Sequence, residues 1–255
     1  IFSEITLRFH GIPEQHYVAR CSFDSIEIAG VAASELLSAG LSIGKLELVD
    51  ALTIEAVNRY LHLNIPEKDS LFIECSGSKK EVEGQMKLIE EIVIENKGQS
   101  FQSEDDSLGK ATLWRARHEA GMAIAAAYPG QQLMSTDVAV PLSRLTEAIK
   151  NARKMVEFSG LTASIFGHVG DGNFHVVIAF DKSNQQSLKK ALKLNEMIVK
   201  HALDVGGTCT GEHGIGTGKI QYLQQEHGDG YEIMKEIKHL FDPNNIFNPG
   251  ILFDN

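Results

Sequence analysis

Two rhythms of apolar and polar residues alternate along the chain. Short β-rich runs fall at Tyr17–Phe23, Lys45–Val49, Ser70–Cys75, Thr136–Val140, Thr162–Gly167 and Phe174–Phe180, and each predicts a strand. Between them, apolar residues three and four apart predict helices over Ser25–Ser38, Thr53–Leu61, Lys79–Asn96, Leu108–Ala127, Ser143–Phe158 and Ser187–Val205. The first helix shows the logic: Ser25 caps it, Ile28, Ala32, Leu36 and Leu37 form its inner stripe, and Gly40 stops it. A Gly-rich loop over Gly206–Gly218 and a last helical stretch to Leu240 complete the pattern. The opening Ile1–Arg8 also alternates and predicts one more strand. Strand, helix, strand recurs in both parts of the chain. This predicts an α+β fold of two sandwich subdomains, each an antiparallel sheet with helices on one face, although pattern alone leaves parallel pairing open.

Composition narrows the partners. The 255 residues are 43% apolar and 23% charged, a globular balance, and surface scaling predicts a folded area of roughly 11,000 Å². Twenty-four Lys and Arg against 34 Asp and Glu leave a net charge of -10, which excludes the basic footprint of a nucleic-acid binder. Cys21, Cys75 and Cys209 are odd in number and widely spaced, so they supply neither a disulfide framework nor a paired metal site. No run approaches the roughly 20 apolar residues of a membrane span. The chain opens without Met, signal or transit sequence, so the native protein is expected to extend further N-terminally.

Chemically capable side chains concentrate in two glycine-rich segments. His168 and His175 bracket HVGDGNFH, and Glu212 and His213 lie in GEHGIG. A GDG turn between two strands can fold its segment back and bring the two histidines to one side. Glu212 would add an anionic third ligand, giving two imidazoles and one carboxylate around a divalent metal with positions left open. Each histidine taken alone reads as a hydrogen-bonded turn or core residue; the cluster reverses that weighting. The second loop matches neither GxxxxGK[ST] nor GxGxxG, and HEAGM at His118–Met122 lacks the second His of HExxH. Arg115 and Arg117 read first as a solvated helix face, but Arg117 has a second reading as a bidentate partner for a substrate carboxylate. Trp114 reads as a core anchor, and Lys79, Lys80, Glu81, Glu83, Glu90 and Glu91 as a solvated face.

Taken together, STDVAVP, HVGDGNFH, GGTCTGEHGIG and FDPNNIFNPG resemble the C-terminal half of the FAD-linked oxidase family, in its D-lactate and D-2-hydroxy-acid dehydrogenase branch. The opening SEITLRFHGIPE is similar to the end of that family's flavin domain. The resemblance implies a duplicated ferredoxin-like α+β sandwich acting as a substrate or cap domain, with the N-terminal FAD-binding domain absent from this chain. It divides the chain into residues 1–15 (flavin-domain end or linker), 16–218 (substrate domain, with subdomains at about 16–105 and 106–218) and 219–255 (a helical segment returning to the flavin). It implies that His168, His175 and Glu212 hold a divalent metal, Zn or Mn before Fe or Co, that His213 is the general base, that Arg117 holds the substrate carboxylate, and that Asn248 touches the flavin. Relatives acting on D-2-hydroxyglutarate carry Thr and Lys where this chain has Gly121 and Ser135, so grips for a second carboxylate are missing. Val176 and Val177 make the strand beyond His175 apolar, which suits the methyl group of lactate.

The expected activity is therefore oxidation of D-lactate, or a similar short D-2-hydroxy acid, to the 2-keto acid with hydride passing to FAD. Cytochrome c, a quinone or an electron-transfer flavoprotein would be the acceptor. The expected location is mitochondrial in a eukaryote and cytoplasmic otherwise. Two other readings use the same residues: a metal-dependent hydroxy-acid binding module without redox activity, and a metal-dependent hydrolase in which His213 activates water.

Overall fold

The computed structural model describes residues 3–9 and 11–253. Along the first part run β1 (Gln15–Phe23), α1 (Ile26–Ser38), β2 (Ile43–Val49), α2 (Ala51–Leu61), β3 (Asp69–Gly77), α3 (Lys79–Glu95) and β4 (Gln99–Glu104). Next come α4 (Ser107–His118) and α5 (Ala120–Ala127). The second part holds β5 (Gln132–Ser135), β6 (Val138–Ala139), α6 (Leu145–Ser159), β7 (Thr162–Gly167), β8 (Asn173–Phe180) and α7 (Gln185–Asp204), followed by α8 (Leu223–His227) and α9 (Gly230–Phe241). Local signals start several of these. The Ser25 hydroxyl accepts from the Ile28 N–H at the head of α1, and Asp50 caps α2 through the Thr53 N–H.

The strands form one antiparallel sheet in the order β4-β1-β3-β2-β7-β8-β5, with β6 also on β8. The first four follow the β4-β1-β3-β2 order of a ferredoxin-like unit. The second repeat matches it: β5 and β6 lie beside β8, β8 beside β7, and Thr208 bridges Ala139 where a fourth strand would pair. The repeats meet edge to edge at β2 and β7, where Leu48 faces Gly167 and Val49 faces Phe166. The fold is thus the duplicated ferredoxin-like α+β architecture, with its two units fused into a single sheet.

Strand alternation divides the core. Ala19, Cys21, Leu48, Ile73, Ile165 and Val176 pack on one face under α1, α3, α6 and α7. Val18, Val49, Phe72, Phe166 and Val177 face the other way, under α2, α4 and α5. Helices therefore cover both faces, where the pattern led us to expect one. The second layer arises because α2 is inserted between β2 and β3, and the linker between the repeats folds as two helices.

Three further expectations change. The helix expected over Leu108–Ala127 breaks at Glu119. The described residues 3–9 form no strand, and Ile5, Leu7 and Phe9 are exposed; Ile1 and Phe2 lie outside the described residues. The accessible surface is 14082 Å² rather than roughly 11,000 Å², because the described residues before Gln15 lie outside the core and α9 buries none of its residues. All three cysteines are free and buried.

Candidate active site

The β7–β8 hairpin brings the first two histidines together. His168 follows β7 directly, a short 3-10 turn over Val169–Asp171 reverses the chain, and His175 lies on β8 opposite Phe166. The turn requires glycine at 172: φ is +76°, and a Cβ there would lie 2.2 Å from the Val140 carbonyl oxygen. The two imidazole rings end 6.1 Å apart and nearly perpendicular.

The loop after α7 brings Glu212 and His213 to the same place, and Asp137 holds it there. This fully buried carboxylate accepts from the backbone N–H groups of Glu212 and His213, from Thr210 Oγ1, Asn173 Nδ2 and Lys219 Nζ. The loop passes so close to β8 that a Cβ at Gly211 would fall 1.9 Å from Asn173 Nδ2. Burial pushes the Asp137 pKa up, but these donors outweigh it and hold the carboxyl well below the usual carboxylate range.

The result is a converging set of donor atoms. Glu212 Oε1 lies 3.0 Å from His175 Nε2 and 3.6 Å from both His168 Nε2 and His213 Nε2. Ligand atoms bonded at 2.0–2.2 Å around one ion stand about 2.8–3.6 Å from each other, so Glu212 Oε1 lies at ligand spacing from each of the three imidazoles. The tautomers suit it too. His175 Nδ1–H donates to the Thr136 carbonyl at 3.2 Å, and His168 Nδ1–H to Glu47 Oε1 at 2.6 Å, leaving both Nε2 lone pairs directed inward. Burial is the largest influence on His175 and lowers its pKa despite Thr136, Asp137 and Glu212, which favours the neutral, ligating imidazole. The group whose donor atoms all lie within 4.8 Å of one another is Asp137, His175, Glu212 and His213, which leaves out the expected ligand His168; both Asp137 oxygens, however, are already occupied by hydrogen-bond donors.

Arg117 reaches this site from α4. It is buried, unlike the exposed Arg115, so the expectation of a solvated face holds for Arg115 alone. Its Nε donates to Glu47 Oε2 at 2.9 Å and its guanidinium lies 5.1 Å from the centre of the Phe166 ring. Among the described residues neither terminal nitrogen of Arg117 has an acceptor, which leaves a two-pronged fork for an added carboxylate. Trp114, one turn earlier, is half-buried; it donates to Glu74 and carries Lys45 over its ring at 4.5 Å, so it is a polar-edged anchor.

Two sequence expectations need adjustment. Of the valines after His175, only Val177 shares its face; Val176 points into the opposite core, because successive side chains on a strand alternate. Asn248, with φ of +47°, lines a cleft in the C-terminal tail with His239, Asn244 and Phe247, and makes no hydrogen bond or ion pair with the histidine cluster. Sequence reasoning missed Glu47 and Asp137. The signal for Glu47 was a charged residue inside the apolar KLELV strand; Asp137 stood in STDVAVP without a role.

The family described as FAD linked oxidases, C-terminal domain, matches residues 12–252. The chain is 39% identical to the D-lactate dehydrogenase [cytochrome], mitochondrial, of Arabidopsis thaliana, covering 99% of this chain and 45% of that protein. It is 40% identical to the probable D-lactate dehydrogenase, mitochondrial, of Danio rerio, covering 98% of this chain and 50% of that one. It thus spans about half the length of these curated relatives. Among solved structures, a 4-ethylphenol oxidase from Gulosibacter chungangensis superposes with a TM-score of 0.69 at 12% identity, over 93% of this chain and 53% of that one, a likeness of fold.

Proposed function

The chain belongs to the FAD linked oxidases as their C-terminal domain, and from that premise we propose that it is the substrate- and metal-holding part of a flavin-dependent dehydrogenase. The proposed reaction is oxidation of D-lactate, or a similar short D-2-hydroxy acid, to the 2-keto acid. The observation that carries it is the convergence of three imidazole Nε2 atoms on Glu212 Oε1 beside the free fork of Arg117. His168, His175 and Glu212 would hold the metal, while Asp137 keeps the Glu212 loop in place. When bound, the cation supplies Lewis-acid polarisation of the substrate's 2-hydroxyl, and the flavin supplies the two-electron acceptor for the Cα hydrogen.

Arg117 grips the substrate carboxylate through its terminal nitrogens and so fixes which face of Cα is presented. His213 takes the hydroxyl proton. Its ring stacks on His175 at 5.1 Å and is about half exposed, so the proton can pass on to solvent. Val177 gives the site face an apolar patch. Gly121 offers no side chain, and Ser135 Oγ donates to the Thr136 carbonyl, so neither provides a grip for a second carboxylate. The Arabidopsis thaliana relative's name motivates a cytochrome as acceptor, cytochrome c among them, ahead of a quinone or an electron-transfer flavoprotein, and both relatives' names motivate a mitochondrial location in a eukaryotic source.

The test uses the full-length gene product under anaerobic conditions, with D-lactate and L-lactate added in turn. D-lactate should bleach the visible flavin band, L-lactate should not, and His175→Ala should slow bleaching by at least a hundredfold. A full-length protein that binds hydroxy acid but carries no flavin would replace this reading with that of a binding module.

A further inference from the structure

Glu47 is a buried carboxylate on β2, in the first repeat, yet both its partners belong to the site assembled beyond that repeat. One oxygen accepts from His168 Nδ1 at 2.6 Å, and the other accepts from Arg117 Nε at 2.9 Å. We propose that Glu47 is a positioning residue that ties the metal site to the substrate-carboxylate site, setting the direction of His168 and Arg117 with a single side chain. The inference rests on the metal and carboxylate roles proposed above and assigns the group that couples them.

The chemistry of a carboxylate makes the coupling specific. A carboxylate oxygen accepts, so the His168 proton that meets Glu47 sits on Nδ1, and Nε2 is the ring nitrogen turned toward Glu212. For Arg117, the bond at Nε occupies the edge of the guanidinium facing β2, and the Phe166 ring lies against it. That leaves Nη1 and Nη2 as the prongs for substrate. Phe166 also packs on His175, with ring centroids 5.7 Å apart, so the metal ligands and the arginine share one rigid wall.

Placement in the fold points the same way. Leu46 and Leu48, the neighbours of Glu47 on β2, are apolar core residues, and Leu48 with Val49 forms the β2 side of the β2–β7 seam. A buried ion pair is weak as a source of stability, and replacement by well-packed apolar residues is often neutral or stabilising. Stability alone therefore does not call for a glutamate here; orientation of two groups does. The carboxylate lies where β2, the end of β7 and α4 come together, so one side chain reaches both partners.

The experiment uses the full-length flavoprotein and its Glu47→Gln variant. One readout is the Mn²⁺ dissociation constant by competition with a chelating dye; the other is KM and kcat for D-lactate at saturating Mn²⁺. Gln offers one acceptor where two donors converge and turns its amide N–H groups toward the other. Mn²⁺ affinity should fall 10–100-fold, and KM should rise about tenfold while kcat changes less, the pattern of lost uniform binding. In a His168→Gln background the Glu47 effect on Mn²⁺ should vanish, and in an Arg117→Met background the effect on KM should vanish. Should Glu47→Gln fold poorly, the Glu47→Leu, Arg117→Met pair removes both charges together and carries the Mn²⁺ measurement.

A folded Glu47 variant with wild-type Mn²⁺ affinity and wild-type KM would overturn this inference and leave the proposed function standing. Wild-type protein that binds no divalent cation would overturn the metal reading, and this inference with it.

Discussion

Asp137 shows at the scale of one residue how a buried carboxylate can organise a site through the donors it collects. Its oxygens collect donors from β8, from the 210–213 loop and from Lys219, and two of those donors are backbone N–H groups of Glu212 and His213. Asp137→Asn keeps the shape but turns an amide N–H₂ toward N–H donors. Metal affinity should fall 10–100-fold, and stability should drop by about 3 kcal/mol as Lys219 loses its buried partner. Metal titration and urea denaturation read the two effects separately. The sign with pH is set by the depressed native pKa. The stability that Asp137 contributes is fully present above its unfolded value of about 3.9 and drains away as pH falls below it. Acid titration of stability should therefore flatten below about pH 4 in the Asn variant.

Helix α2 carries the argument at the scale of an element. Two carboxylates meet its N-terminus: Asp50 accepts from the Thr53 N–H, and Asp69 accepts from the Ala51 N–H at 2.9 Å. Helix N-termini favour negative charge, but Asp69 is partly buried beside Asp50, and burial first of all raises its pKa to about 6. A raised native pKa means that the favourable contribution of the protonated form exists below about pH 4 and is lost as pH rises through about 6. Asp69→Asn keeps the acceptor oxygen and removes the charge. It should stabilise the protein by about 1–2 kcal/mol at pH 7, discounted for partial exposure, and by nothing near pH 4; a urea midpoint series across that range checks it. Legibility in the sequence also varied by element. The amphipathic α1, α3, α6 and α7 and the apolar β7 and β8 announced themselves. Edge strand β4, QSFQSE, did not, because its side chains are mostly polar and exposed and only pairing with β1 makes it a strand. The break at Glu119 was equally silent, since the apolar pattern runs on through it and Gly121 already lies inside the next helix: α4 aims Arg117 at Glu47, whereas α5 packs on α2.

Across the whole molecule the duplication puts the chemistry close to a seam. The β2–β7 contact is short, and Asp50 reinforces it: Oδ2 accepts from the Ile165 N–H and from Arg153 Nη2, both at 2.8 Å, and its own N–H donates to the Ile165 carbonyl. Asp50→Ala should remove about 3–5 kcal/mol by leaving Arg153 and the Ile165 N–H without their partner. Because the sheet is continuous across the seam, both repeats should melt in one transition. Two separate calorimetric transitions within this domain would contradict a single cooperative sheet.

By itself the sequence determined the repeated strand and helix pattern, the acidic net charge, and the two glycine-rich segments that carry His168, His175, Glu212 and His213. It could do so because periodicity and turn chemistry are local, and because the family's motifs are contiguous stretches of chain. Tertiary structure alone decided the rest. It fused the repeats into one sheet, covered its second face with α2, α4 and α5, and buried Arg117 against Glu47. Those outcomes depend on which strand edges meet and which strand face a residue occupies. Glu47 and His168 are 121 residues apart, and no local pattern encodes a contact made only when β2 lies beside β7.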